Sequence, residues 1–553
     1  MPDSTSLFNS QSESIVLETP QGKLLGKRNT HNNVSVFKGI PYGVPPVGER
    51  RWKPCEPAAG WKGLRLATVF APECVQLAPS EKSFYYRPLP QMSEDCLYLN
   101  VWTSAHLKEI SDELLPVMVW IHGGSLVDGA GSRPEYDGTE LARKDIVLVT
   151  INYRLNIFGY FCHPQLTAES IHDASGNYGT TDQVQALKWV KNNIASFGGD
   201  PDNVTIFGES SGALSVSHLL VSPLATGLFH RAIMQSVYLP PLPMLKTAEK
   251  AGLKFCEYID DNSDQLTQTS ITKMRKFSAS ELLRLASEGS FYSGAHNTEA
   301  VVDNWVFPGQ ISELFETGRV QDVPILVGFN SGDAYHFGNI EGLTAPVPAN
   351  ADCYMKDIKA RYGNLTDEYL AVYPPENLKE VVFAPIRDSF YGWAAERFAQ
   401  MSERLKSNAY LYYFDHAYSW AEQASMGAFH GAELFYSFNN IKYYNEIRLP
   451  NWPECTLTES DLIMAETMSD YWVAFAKNGV PCVETHPAWK PYKDKSRHYM
   501  TFKNGTANPG ENLLSGAFEL HEKINMKRRQ QGDLSLGLTG IGLMAPILPA
   551  NKD

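Results

Sequence analysis

Short runs of β-branched and apolar residues alternate with helical patterns through the N-terminal half of this 553-residue chain. That alternation limits it to βαβ units on a mostly parallel sheet. The runs Pro116–Ile121 (PVMVWI), Ile146–Asn152 (IVLVTIN), Val204–Phe207, Ala232–Gln235, Pro324–Gly328 (PILVG) and Tyr410–Phe414 (YLYYF) read as strands. Between the second and third, Val184, Leu187, Trp189, Val190 and Ile194 form one apolar stripe, so Thr181–Ser196 reads as a helix. Met464–Lys477 reads as another amphipathic helix, and the irregular, polar stretch at about 240–320 as an inserted helical cap. No repeat, low-complexity tract or long linker divides the chain, so residues 1–553 are read as one domain.

Charge narrows the function classes. Forty-eight Lys and Arg against 62 Asp and Glu leave a net charge of −14, with no dense basic cluster. Nucleic acid is therefore not an expected partner, because binding it requires neutralising phosphates. No apolar stretch is long enough for a membrane helix, and none follows a basic start near the N-terminus. The expected location is cytoplasmic, with secretion the alternative if the N-terminus is not native. Leu534–Ala550 lacks charge, but its glycines, Pro546 and Pro549 suit an irregular segment; the tail from about 534 to 553 is expected to pack on the body. There is no His-Glu-x-x-His and no paired Cys-x-x-Cys, so no metal is expected; no glycine-rich phosphate loop follows a strand, so no cofactor is expected.

Gly208-Glu-Ser-Ser-Gly212 carries the chemistry. It lies between the strand ending at Phe207 and the helical run from Ala213, the setting in which a tight turn lifts Ser210 clear of the backbone. The helix that follows turns its N-terminal N–H groups toward the reacting centre. An acyl-transferring serine needs donors for an oxyanion. Trp120-Ile-His-Gly-Gly-Ser125 follows another strand, so the amides of Gly124 and Ser125, with that of Ser211, are the candidate oxyanion hole.

These features, with Phe37-Lys-Gly-Ile-Pro-Tyr-Gly-Val-Pro-Pro46, Ser93-Glu-Asp-Cys-Leu-Tyr-Leu-Asn-Val-Trp102 and Gly198-Gly-Asp-Pro-Asp-Asn203, resemble the type-B carboxylesterases, the cholinesterase/lipase group of α/β-hydrolases. The likeness runs from about Gly22 to Phe518. It implies an α/β-hydrolase fold, a mostly parallel sheet flanked by helices with helical cap insertions. It also implies a catalytic Ser, acid and His in that order. The histidine segment matches Gly427-Ala-Phe-His430, so His430 is the implied base. The acid segment reads Gly328-Phe-Asn-Ser-Gly-Asp-Ala334, where Asp333 takes the family's glutamate position and Gly332 replaces a neighbouring Asp. Asp303 and Glu433, the runners-up as acid, are read as structural. Ser125 replaces the third glycine of the usual oxyanion loop.

The resemblance further implies a Cys74–Cys96 disulfide closing a lid-like loop at about 75–95. Charged pairs Arg51–Glu94 and Arg154–Asp182 are implied to lock the fold. Cys256 lacks the partner for a second bridge, and the six thiols outside the Cys74–Cys96 pair, Cys256 included, are read as buried small hydrophobes. Tyr86 stands where cholinesterases hold a cation on Trp, Glu209 adjoins the nucleophile, and Tyr238 and Leu239 fall where the family builds its acyl pocket. The expected reaction is hydrolysis of a small apolar or aromatic ester through an acyl-enzyme on Ser210. An acyltransferase or metabolite-tailoring esterase with the same triad and an interfacial lipase are the alternatives, and a homodimer is left open.

Overall fold

The computed structural model describes residues 12–107, 113–262, 270–289, 300–335, 344–530 and 540–548. Its frame is one 13-stranded sheet. In chain order, twelve of its strands are β1 (Ser12–Thr19), β2 (Gly22–Asn29), β3 (Ser35–Pro41), β4 (Tyr98–Thr103), β5 (Leu115–Ile121), β6 (Val147–Ile151), β7 (Gly199–Glu209), β8 (Arg231–Gln235), β9 (Ile325–Asn330), β10 (Ala409–Phe414), β11 (His498–Lys503) and β12 (Thr506–Glu511). Across the sheet they run β1-β2-β3-β4-β6-β5-β7-β8-β9-β10-β11-β12, and Leu64–Leu66 pairs with β2 off this path. From β6 to β11 every pairing is parallel; the two ends are antiparallel.

Burial explains which strands were legible. Val147–Ile151 is buried throughout, as is Val117–Ile121. Strands covered on both faces read as continuous apolar runs. All six sequence-read strands are present, with β7 starting earlier, at Gly199. β1 went unread because its residues alternate: Ser12–Thr19 buries only Ile15, Leu17 and Thr19. β12 carries Pro509, which an edge strand tolerates.

Helices α1 (Tyr178–Asn193) and α2 (Ser211–Val221) pack against the sheet. The cap stretch holds α3 (Leu245–Asn262) and α4 (Ala279–Glu288). A second helical group, not singled out from the sequence, contains α5 (Ala351–Tyr362), α6 (Glu380–Ile386) and α7 (Trp393–Ser402). The predicted helix at 464–477 lies within α8 (Glu459–Asn478), which starts in a Thr458/Asp461 capping box and ends at the left-handed Gly479. The last long helix is α9 (Ala517–Gln530). Of the apolar tail, residues 534–539 and 549–553 lie outside the described residues. The rest packs on the body: Tyr362 donates to the Gly542 carbonyl at 3.1 Å, and Leu548 N–H to that of Ala360 at 3.0 Å.

Cys74 and Cys96 are bonded, 22 residues apart. The reading of the other thiols as buried needs correction. Cys162, Cys256 and Cys455 are buried, but Cys55 is half-buried against the core, Cys353 is exposed on α5, and Cys482 is exposed in the loop after α8. Both charged pairs form two-point contacts. Arg154 Nε and Nη2 donate to the buried Asp182 at 2.8 and 2.7 Å, and Arg51 Nε and Nη2 to Glu94 at 2.7 and 2.6 Å.

Candidate active site

The site lies at the carboxyl ends of β5, β7, β8 and β9, where open parallel sheets place their ligands. At the end of β7 the chain turns through Ser210 at φ 57°, ψ −126° and enters α2 at once. Such a backbone costs about 1–3 kcal/mol and is held by its surroundings. Here the Ser210 N–H donates to the Gln235 carbonyl on β8 at 2.9 Å. Gly212 is required by close approach, since a Cβ there would lie 2.1 Å from the Ile121 carbonyl oxygen. The elbow thus presses on the end of β5, which brings the Gly123–Leu126 loop to it. Leu126 N–H donates to Ser211 Oγ at 3.1 Å, tying that loop to the first turn of α2. Gly124 and Ser125 both have positive φ, at 108° and 54°. A serine adopts this conformation only at a cost of roughly 1–2 kcal/mol, which accounts for glycine being usual there. The Ser211 amide is in the first turn of α2, where N–H groups have no intrahelical acceptor.

His430 sits on the far wall. Its Nδ1 is 2.8 Å from Asp333 Oδ1, and its Nε2 is 3.1 Å from Oε1 of Glu209, the neighbour of Ser210. Nucleophile elbow, histidine and acid therefore share one buried cluster. Asp333 also accepts from Asn330 N–H at 2.7 Å and from Ser236 Oγ at 2.9 and 3.1 Å. Gly332 makes this possible. Its N–H donates to the Ala428 carbonyl at 2.8 Å, and a Cβ there would lie 2.0 Å from the Met426 carbonyl oxygen. The acid loop can lie against the histidine loop only with glycine at that position.

Burial sets the protonation states. It lowers the His430 imidazolium to about 3, which leaves the ring neutral. Its Nδ1 faces Asp333 and its Nε2 faces the Glu209 carboxyl. Burial raises Asp333 to about 7, opposed by the Asn330 and Ser236 hydrogen bonds. Glu209 is pushed well above the usual carboxyl range by burial and by the charges of Glu433 and Asp333.

The Carboxylesterase family's sequence model matches residues 13–520. The chain belongs to the carboxylesterase family. It is a carboxylic ester hydrolase, as its relatives' names indicate. A fumonisin B1 esterase of Sphingopyxis macrogoltabida is 33% identical over 507 residues, covering 90% of this chain and 88% of the relative. A human cocaine esterase is 34% identical over 524 residues, covering 88% of each. A solved PNB esterase superposes with a TM-score of 0.75 at 30% identity, covering 91% of this chain and 99% of that one.

In this carboxylesterase, Tyr238 stacks on Phe390 at 4.7 Å beside the buried Leu239, and Tyr391 lies 5.1 Å from the His430 ring. Tyr86 is half-exposed on the 75–95 loop, its N–H on the Ser83 carbonyl. Its neighbour Tyr85 reaches the site instead, donating to the His430 carbonyl at 2.8 Å. Ser236 did not stand out in the sequence, because a single hydroxyl carries no pattern. The two runners-up have structural partners. Asp303 accepts from the amides of residues 305–307, and Glu433 accepts from Gln235 at 3.0 Å and Asn330 at 2.5 Å. Among the described residues, no group of three or more His, Cys, Asp or Glu is placed to hold a metal ion.

Proposed function

We propose that this carboxylesterase cleaves an apolar or aromatic ester through an acyl-enzyme on Ser210. The observation that carries the reading is the placement of His430, with Nδ1 2.8 Å from Asp333 and Nε2 3.1 Å from Glu209, the residue before Ser210. In this mechanism Ser210 Oγ attacks the ester carbonyl as His430 Nε2 takes its proton. The carbonyl oxygen becomes an oxyanion held by the N–H groups of Gly124, Ser125 and Ser211. Collapse expels the alcohol, which receives the proton from His430. Water then enters, gives a proton to His430 and attacks the acyl group, and Ser210 is released with the acid. Asp333 keeps the imidazole oriented and balances its transient charge. Tyr238, Leu239, Phe390 and Tyr391 supply the apolar and aromatic wall that favours such esters.

The 75–95 loop supports an esterase over an interfacial lipase, because it is fastened at several points. Besides the disulfide and Tyr85, Asn451 Nδ2 donates to the carbonyls of Glu81 and Ser83 at 2.8 and 2.7 Å, and Arg87 pairs with Glu135 at 2.6 Å. The test is hydrolysis of p-nitrophenyl esters from acetate to palmitate by wild type and Ser210→Ala. The expected result is a short-chain optimum that vanishes in the variant. A long-chain optimum that appears only above the substrate's solubility would favour the lipase, and activity surviving in Ser210→Ala would refute the acyl-enzyme.

A further inference from the structure

After α6 the backbone widens into a π-helical turn, Arg387–Gly392, a rare form that recurs at functional sites. Consecutive residues of this turn serve two spaces. Tyr391 faces the His430 ring, while Ser389 and Phe390 line a second cavity with Leu239, Trp393 and, from α9, Asn525 and Arg528. Phe390 also stacks on Tyr238 at 4.7 Å. The ring contacts of Tyr391 with His430 (5.1 Å) and with Phe390 (4.9 Å) put this wall at most about 10 Å from the base.

The polar lining is what calls for a ligand. Ser389 and Asn525 are only 8% and 7% exposed. Neither side chain has a hydrogen-bond partner among the described residues, and neither is among the polar atoms shut off from solvent, so a ligand entering the cavity would replace water on both. Arg528, half-buried, has no carboxylate within ion-pair distance among the described residues. The groups that feel its charge are the buried His521 and Tyr362, which offer it no counter-ion. Glu522 on the same helix is engaged by Trp393 Nε1 at 2.7 Å. One guanidinium, one amide and one hydroxyl therefore converge on a space with apolar walls. The cavity is narrow, about the size of one bound water as it stands, so only a small terminal group could enter it. A planar carboxylate at the end of a hydrocarbon arm satisfies all of these features, since a guanidinium fork matches carboxylate geometry.

We propose that this cavity is a subsite for a carboxylate on the acyl arm, so that the enzyme accepts half-esters of dicarboxylic acids. The acyl chain runs from Ser210 past Tyr238 and Leu239, and its free carboxylate ends on Arg528, Ser389 and Asn525. The inference rests on the ester-hydrolase reading and on Tyr238 and Leu239 lining the acyl side.

The test uses the full-length protein and p-nitrophenyl half-esters of linear diacids of increasing length, each paired with the neutral ester of matched length. Wild type should prefer the half-ester at one length. In Arg528→Gln the half-ester to neutral-ester ratio of kcat/KM at that length should fall about 10- to 100-fold, mainly through KM. Arg528→Lys should restore part of it, and Ser389→Ala should lower it less. A ratio that never exceeds one in wild type, or that is the same in wild type and Arg528→Gln, overturns the subsite; the cavity then holds only water. A preference confined to esters bearing the carboxylate on the alcohol arm overturns it too. Failure of the underlying reading is distinguishable, because wild type would then hydrolyse no ester, neutral or charged.

Discussion

Replacing Ser236 with alanine removes the hydroxyl that donates to both oxygens of Asp333, at 2.9 and 3.1 Å, and leaves the His430 and Asn330 contacts in place. Asp333 must be ionised to balance the imidazolium, and burial already holds it at about 7 in the fold. The acid limb of kcat/KM against pH therefore falls near that value in the wild type. A hydrogen bond to a charged group contributes about 1.5–3 kcal/mol. At about 1.4 kcal/mol per pH unit, its loss moves the limb upward by about one to two units. Activity on p-nitrophenyl acetate should drop steeply at pH 7 and recover toward wild type on the alkaline plateau.

Stability gives a second readout of the same charge. Because the native state binds the Asp333 proton more tightly than the unfolded chain, stability falls as pH climbs from the ordinary aspartate range to about 7. Ser236→Ala deepens that fall, so the variant should melt lower than wild type at pH 9 and differ less at pH 4. The reasoning is refuted if the folded variant keeps its acid limb within a few tenths of a pH unit of wild type. It is refuted equally if activity is lost to the same extent at every pH.

Two further outcomes follow from the 75–95 loop. Tyr85→Phe keeps the aromatic ring and loses the 2.8 Å bond to the His430 carbonyl, about 0.5–1.5 kcal/mol; kcat should fall a few-fold with KM little changed in steady-state assays. Cys74→Ser with Cys96→Ser opens a loop of 22 residues and should cost up to about 3 kcal/mol. Denaturant unfolding should show this as a lower midpoint, and reduction of the wild type should reproduce it.

The buried parallel strands and the elbow were legible because local chemistry dictates them. A strand covered on both faces must be apolar throughout, as Val147–Ile151 is, and a turn pressed on a neighbouring strand must use glycine, as at Gly212. His430 and Asp333 were reachable only through resemblance, since nothing local marks either one. The half-polar outer strands and the helices of residues 351–402 escaped because their patterns are weak and their burial depends on distant partners.

By itself the sequence determined where the Ser210 turn is presented and which backbone amides flank it. Tertiary structure decided which groups surround it. Ser236 meets Asp333 across 97 positions, Gln235 meets Glu433 across 198, and Tyr85 meets the His430 carbonyl across 345. Periodicity records which face of an element is buried, but hydrogen-bond partners and the dielectric around a carboxyl are set by whichever segments the fold brings together.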